Sequence, residues 1–408
     1  MSLGQGEADR STASTTEAVA GPDKPVAVIV AHSFLDRATL EPVRGGSVRY
    51  LRDLAYLLRD LGFNVRIIQK GYRDLRVNFD EGIDIEILRV PLRAWADFIF
   101  AGRVARRLRG VALCVYGTPE AGFPFYARGS VVIQHGVWWD RLDYSRLKGA
   151  AIRLVQRVRN ATLCRRARVI ICVDTNYINY LRVTHTARLG NIAKCRYIPN
   201  YVDTAGLPAV SDESIHKRFA KRKLIFLRRL EPQRGALLFA SVCRCLREQG
   251  VVFQATMVGE GSQRGAVTRY IAAHRLEDTV RVTKCDFHEV FQELSDSTIS
   301  VIPSCWSEGT SLAAVESIGC GIPVVASDVG GLSNVIVPYH NGLIVPAEVE
   351  ALAAACTRLL DDERLYSRLA SNCVSMRDAL SYERWLSEVR EAIFPSKGLR
   401  VKGCKSER

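Results

Sequence analysis

The sequence predicts an α/β fold of two doubly wound, Rossmann-like domains facing each other across a cleft, on three observations. The chain has 408 residues, more than one domain ordinarily holds and enough for two of roughly 150–200 residues each. Short β-branched apolar runs alternate with longer amphipathic stretches through both halves, the pattern of parallel strands covered by helices on both faces. Between the halves, IPNYVDTAGLPAVSDE (198–213) relaxes into proline, glycine and polar residues, as a linker does.

In the first half, strands are expected at 25–31, 64–69, 83–90, 111–116, 130–135 and 168–173, with helices at 47–61 and 146–166. In the second half they are expected at 223–229, 253–259, 279–283, 298–303 and 322–327. The domain boundaries that follow are a disordered tail over 1–24, an N-terminal acceptor-side domain over 25–204 and a C-terminal nucleotide-side domain over 205–380. A helix over 381–396 and a basic tail over 397–408 close the chain. Ligands of such sheets sit beyond the strand C-termini, so the cleft is where site residues are sought.

Composition narrows the class. Hydrophobic residues make up 48% and charged residues 25%, ample for two cores. No apolar run approaches the roughly 20 residues that span a bilayer, and the polar N-terminus has no apolar signal region. Twelve cysteines without a CxxC pair, among them Cys172, Cys305 and Cys320, read as free thiols of a reducing compartment, so a cytoplasmic protein is expected. The net charge is +14, and nearly all the excess lies in the first 200 residues. That half therefore expects an anionic partner.

The most specific signal is SEGTSLAAVESIGCGIPVVAS, residues 307–327, which follows a buried-type strand. Glu308 and Glu316 are separated by seven residues, so a helix over 310–319 sets Glu316 about two turns below Glu308. One carboxylate then meets a sugar at the mouth, and the other accepts from paired ribose hydroxyls. Exposed amides of Thr310, Ser311 and Leu312 at the helix start face a phosphate. The second signal is FLRRLEPQRG, residues 226–235, where Arg229 ends a strand and Arg234 opens the next helix. Two cations at such a switch suit a diphosphate and neutralise it without a metal.

Together these segments resemble glycosyltransferase family 4, a retaining family of GT-B fold, whose hallmarks are a Gly-Arg-Leu…Lys-Gly diphosphate clamp and a Glu-x7-Glu motif. Here Arg228 stands at the family glycine and Arg234 at the family lysine, which changes a point charge into a fork. The resemblance extends from about residue 25. VRGGSVRYLRDLAYLL (43–58) resembles the glycine loop, in which Gly45 and Gly46 border the donor and the Gly46 amide approaches its phosphate. IQHG (133–136) resembles the histidine motif, so His135 contacts the transferring sugar. IPNYVD (198–203) is similar to the family linker with Tyr201 in place of glycine. MVGEG (257–261) resembles the loop, with Gly259, beside the nucleotide, and SYERWLSEVREAIF (381–394) the helix that crosses back to the first domain.

The resemblance implies a hexosyltransferase acting with retention by front-side displacement on a UDP- or GDP-linked donor. Arg229 and Arg234 hold the diphosphate, Glu308 positions the sugar and Glu316 binds the ribose. Double displacement with Glu308 as nucleophile is the rarer alternative. No DxD pair stands at a suitable place, so neither metal nor other cofactor is expected.

The acceptor is sought in the basic half. Residues 146–168 hold eight basic residues and no acid, with Ala151, Leu154, Val155, Val158 and Thr162 at helical spacing. Residues 102–110 carry Arg103, Arg106, Arg107 and Arg109, and the Trp138-Trp139 pair precedes the longer stretch. This predicts peripheral binding to anionic lipid on the inner membrane face and a lipid-linked or glycan acceptor in cell-surface polysaccharide or glycolipid synthesis. The bland alternative is a solvated helix whose apolar stripe packs on its own sheet. A GT-B enzyme with a soluble small-molecule acceptor is the rival function. A nicotinamide dehydrogenase is disfavoured because the first strand lacks a GxGxxG turn, a non-catalytic lipid scaffold would not need the four charged site residues, and nucleic acid is not expected as a partner.

Overall fold

The computed structural model describes residues 24–43, 45–90, 95–137, 139, 145–184, 192–284, 289–306 and 308–395. The expected tails, Trp138 and Ser307 lie outside them, apart from Lys24 in the first.

The first sheet has eight strands: β1 (Val26–Val30), β2 (Asn64–Gly71), β3 (Leu75–Asp80), β4 (Ile83–Arg89), β5 (Leu113–Tyr116), β6 (Ser130–Gln134), β7 (Ala167–Cys172) and β8 (Cys195–Tyr197). Their order is β3-β4-β2-β1-β5-β6-β7-β8. Four helices cover it: α1 (Gly46–Asp60), α2 (Ala96–Arg107), α3 (Arg146–Arg166) and α4 (Asn176–Val183). β1 reads VAVIV and lies at the middle, where burial on both faces favours an unbroken apolar run over alternation. α1 turns Val48, Leu51, Leu54, Ala55 and Leu58 inward, the 3.6-residue spacing of an amphipathic helix.

The second sheet has six strands: β9 (Lys223–Leu227), β10 (Gln254–Val258), β11 (Val280–Thr283), β12 (Ile299–Ile302), β13 (Val324–Ser327) and β14 (Gly342–Val345). They run in the order β11-β10-β9-β12-β13-β14, every described pairing parallel. The helices here are α5 (Asp212–Lys221), α6 (Ala236–Glu248), α7 (Arg264–Ala273), α8 (Val290–Ser295), α9 (Leu312–Gly319), α10 (Val349–Asp361), α11 (Glu363–Ser375) and α12 (Tyr382–Ile393). In both sheets strand order reverses at the middle, beside β1 and beside β9, which opens a crevice at the strand C-termini. No described helix is long and apolar enough to cross a membrane.

Eleven expected strands are present with their ends shifted by no more than two residues, and the helix expected at 146–166 has those bounds. Three strands were not anticipated. β3 pairs antiparallel with β4, so the first sheet is mixed rather than wholly parallel. β8 and β14 are only three and four residues long.

The passage between the sheets is tied down by aromatic packing. Tyr201 is buried and lies on Trp385 of α12 with ring centroids 4.4 Å apart. Tyr50 of α1 meets the same indole edge-on at 5.0 Å. Trp385, Val389, Ala392 and Ile393 join the core of the first domain, so α12 packs back onto it. Tyr201 donates its hydroxyl to Asp53, a bond that a glycine at the linker position cannot make. The described cysteines are free thiols.

Candidate active site

The site is built where the order of the second sheet reverses. The chain leaves β9 into Arg228 and Arg229, and leaves the neighbouring β12 into Pro303 and Ser304. Backbone bonds fix the first exit: Arg228 N–H donates to Val258 (3.0 Å) and Leu230 N–H to Glu260 (2.8 Å). Gly259 is thereby set against the Arg228 carbonyl, closer than any side chain would allow. Arg234 ends a single 3-10 turn just before α6.

Glu308 sits between these exits. Its Oε2 accepts from Arg228 Nη2, from Arg234 Nη1 and from Ser304 Oγ at 2.8 Å. Arg228 also donates through Nη1 to Ser304 Oγ at 2.6 Å. Burial alone would raise the Glu308 carboxyl, but the two guanidiniums more than offset it and hold it below its ordinary range. Burial pulls the Arg228 guanidinium down, and Glu308 opposes that shift.

Glu316, one helix further along the motif, is buried and meets Arg49 of α1 at 2.8 Å. This ion pair joins the two domains. The starts of α1 and α9 also meet, since a Cβ at Gly46 would lie 2.8 Å from Leu312 Cδ1. A larger residue at 46 would require the Leu312 side chain to shift. Burial raises the Glu316 carboxyl, with Arg49 acting against the rise.

The helix of the motif begins at Leu312, not at 310. Thr310 and Ser311 are buried rather than exposed. The Thr310 hydroxyl donates to the Val173 carbonyl (2.8 Å) and accepts from Asn200 N–H (3.0 Å). It is spent on tying the domains together. The first amides of α9 still have no acceptor inside their own helix.

Across the gap, His135 leaves β6 with its ring edge-on to Tyr50 at 5.6 Å. Burial pushes its pKa down to about 4 against a hydrogen bond to the Gly117 backbone, so the ring is neutral at physiological pH. Its Nε2 is buried without a partner among the described residues. Such an atom invites a hydroxyl donor. Asp174, at the exit of β7, accepts from Asn176 N–H at 2.8 Å through Oδ1. Its Oδ2 is buried and unpaired among the described residues, and burial pushes the group up to about 6, with Glu308 adding to the rise.

Of the residues singled out by sequence, the structure joins Glu308 to Arg234, sets Gly259 against Arg228 and brings Gly46 to Leu312. It does not bring Arg229 to Glu308; that side chain is exposed, as is Gly45. Arg228, Arg49 and Asp174 were missed. The arginine at the family glycine was the available signal for the first, and no local signal marked the other two.

The loop after β13 also supports Glu308. Gly331 N–H donates to the Glu308 carbonyl at 2.9 Å, and Gly330 has φ +61° with its Cβ direction pointing into that same carbonyl. Gly330→Ala is expected to cost at least about 1–3 kcal/mol from the left-handed backbone alone. A fall of several degrees in melting temperature is the measurement that checks it.

The basic face differs from the membrane expectation in two respects, and in a third it goes against the bland alternative. Arg103 and Arg107 are engaged within the fold, with Asp74 and Glu86 respectively. Trp139 is buried under the Arg159 guanidinium, 5.1 Å from its ring centre, and is no interfacial anchor. α3 is inside out. Gln156, Arg159 and Asn160 point inward, while Leu147, Leu154, Val155 and Val158 are exposed by 87, 62, 55 and 53%. The stripe does not pack on its own sheet.

Residues 211–374 match the family model described as glycosyl transferases group 1. The chain is 29% identical over 148 residues to the amylovoran biosynthesis glycosyltransferase AmsK of Erwinia amylovora, which covers 35% of this chain and 36% of that protein. It spans between about a third and a half of the length of the curated relatives it matches. Among solved structures, sucrose-phosphate synthase of Thermosynechococcus elongatus superposes with a TM-score of 0.71 at 18% identity, covering 90% of this chain and 98% of the other. Anabaena HepE in complex with UDP gives 0.66 at 17% identity, covering 90% and 99%. The fold is GT-B.

Proposed function

We propose that this GT-B chain is a retaining, metal-independent glycosyltransferase that moves a hexose from a UDP- or GDP-linked donor to a lipid-linked or glycan acceptor. The observation that carries the reading is the Glu308 carboxylate, held by Arg228, Arg234 and Ser304 at the strand exits. The group 1 family match over 211–374 supports it, as do AmsK, a glycosyltransferase of amylovoran biosynthesis, and the UDP complex of HepE.

In the proposed reaction the diphosphate lies against Arg229 and Arg234, and the ribose displaces Arg49 from Glu316. The bond from the anomeric carbon to the β-phosphate oxygen breaks, its electron pair passing to that oxygen. The acceptor hydroxyl bonds to the same face of the anomeric carbon and yields its proton to the departing phosphate. Glu308 and His135 Nε2 accept hydrogen bonds from the sugar. Chain residues thus supply orientation and charge stabilisation.

A thermal-shift screen of UDP-glucose, GDP-mannose and ADP-glucose tests the reading. At a hundredfold excess over Kd, one donor should stabilise the fold by about 2.7 kcal/mol, a rise of about 5–10 °C. Donor consumption should persist in excess EDTA. Indifference to all three donors would remove the nucleotide-sugar assignment, and EDTA-sensitive turnover would remove the metal-free mechanism.

The inverted face of α3 supports a lipid-linked acceptor and a peripheral station at a cytoplasmic membrane face. Arg146, Arg153, Arg157, Arg165 and Arg166 flank its apolar stripe and are exposed, each contributing about 1 kcal/mol near an anionic surface. A second exposed apolar group, Trp95, Phe98 and Phe125, lines α2, with Phe98 5.1 Å from Phe125. The protein should float with vesicles containing phosphatidylglycerol, and Leu154→Asp with Val158→Asp should release it. Equal flotation with purely zwitterionic vesicles, or none with either, would favour the soluble acceptor.

A further inference from the structure

Three donors converge on a single oxygen of Glu308, and they differ in accessibility. The Arg228 side chain is 5% exposed, and the Arg234 side chain is 25% exposed. Arg234 ends a short turn at the mouth, whereas Arg228 is pinned twice, to Glu308 and to Ser304 Oγ. A diphosphate is a better bidentate partner for a guanidinium than one shared carboxylate oxygen. The more exposed arginine is the one able to turn toward it. Glu308 would then keep one counter-charge, and with the family glycine at 228 it would keep none on that side.

We propose that Arg228 is a positioning residue that keeps Glu308 charged and aimed at the sugar while Arg234 passes from Glu308 to the donor diphosphate. This rests on the donor-binding reading above and assigns to residue 228 a role that the glycine at the family position cannot fill. The charged and polar groups facing Glu308 are Arg228, Arg234, Ser304 and, from the first domain, Asp174. Arg228 keeps Oε2 occupied and so turns the other carboxylate oxygen to the ligand. The pair also lets the diphosphate be gripped without leaving a bare carboxylate in a buried site, where an uncompensated charge is costly.

The test compares full-length wild type, Arg228→Gly and Arg228→Lys in consumption of whichever of UDP-glucose, GDP-mannose or ADP-glucose the wild type turns over, from about pH 4.5 to 8.5. Arg228→Gly should lower kcat by on the order of tenfold while the donor KM stays within about twofold. Its acid limb should move up by about 1–3 pH units, because a removed opposite charge no longer favours the carboxylate. Arg228→Lys should bring the limb back and restore part of kcat. Asp174 titrates in all three proteins, so the difference between them reads Glu308. Should Arg228→Gly not accumulate as folded protein, Arg228→Gln carries the same comparison. A folded variant with wild-type kcat and acid limb overturns the proposal, as does a raised KM with unchanged kcat, which would make Arg228 a donor ligand. A wild type that neither binds nor consumes any of the three donors removes the donor reading, and this inference falls with it.

Discussion

Glu308→Ala is expected to lower the unfolding free energy by about 3–5 kcal/mol, the usual consequence of removing one partner from a buried ion pair. Arg228 remains behind with only Ser304 Oγ as described partner, its side chain 5% exposed. Arg234 can turn to water, but Arg228 cannot. Donor turnover should fall more than a hundredfold beyond what lost folded protein explains, on the scale of other lost electrostatic contacts to a transition state. Glu308→Gln separates the two effects: it keeps an acceptor for Ser304 and fills the space, so its stability loss should be smaller while turnover stays low. The pH dependence has a definite sign. A carboxyl held below its ordinary value in the folded state contributes stability above the unfolded pKa of about 4.3, and loses it as pH falls through the folded value. Wild type should therefore lose stability in acid more steeply than Glu308→Ala. Urea midpoints between pH 3 and 7 read this directly, and equal midpoints for the two proteins would sink the account of Glu308 as the charge that Arg228 requires.

Much of this arrangement was legible before any coordinates, because the governing patterns are local. The seven-residue interval between Glu308 and Glu316 is a property of one strand–loop–helix unit. The two-domain division followed from periodicity and from one relaxed stretch at 198–213. What was not legible depends on meeting surfaces. Arg49 lies on α1 among Val48, Tyr50 and Leu51, and nothing in that run says that its guanidinium will reach Glu316 in the other domain, 267 residues away in sequence. Arg228 was visible as a departure from the family glycine, yet an arginine beside Arg229 and Arg234 reads as one more surface cation until Ser304 and Glu308 are seen closing around it. α3 shows the same limit from the other side. Its periodicity gave a stripe, but which face turns inward depends on Arg159 reaching Glu120 at 2.7 Å and on Asn160 meeting the Tyr177 hydroxyl at 3.1 Å. Those polar anchors, together with the buried Leu163 and Cys164, define the inward face and leave Leu154 and Val158 outside. β8, at three residues, is too short for alternation to carry information, and β3, at the edge of its sheet, alternates only between half-buried and exposed residues.

The two glutamates of the motif are held in opposite ways, and this decides where substitutions should hurt. Glu308 is neutralised from within its own domain, so its ion pairs do not depend on how the two domains meet. Glu316 is neutralised from across the cleft by Arg49, whose neighbours include Asp53 at 3.8 Å and the Tyr201 ring at 5.7 Å. A ribose seeking Glu316 therefore competes with a domain contact. If the ribose takes Glu316 as proposed, donor binding is coupled to the contact between the domains through that carboxylate, which is one partly buried ion pair with Arg49.

Arg234→Ala should cost donor turnover most for the least structural damage. The side chain is a quarter exposed, and its partner Glu308 retains Arg228 and Ser304, so folding should change little. On the proposed reading the lost fork is the group that takes the diphosphate, and by comparison with other oxyanion donors its removal should cost about 2–4 kcal/mol of transition-state stabilisation. That is a fall in kcat/KM for the donor on the order of 10² to 10³. Arg234→Lys, which installs the residue of the family clamp, keeps the charge but gives up bidentate contact and should recover part of the loss. Arg229→Ala probes the second clamp position, which is exposed and outside the Glu308 network, and its loss should likewise fall on the donor. If both arginines grip one diphosphate, the double variant should lose less than the product of the single losses, because residues sharing a ligand are not additive. Undiminished donor kcat/KM in Arg234→Ala, or a loss confined to the acceptor KM, would show that the fork holding Glu308 never transfers to the phosphate.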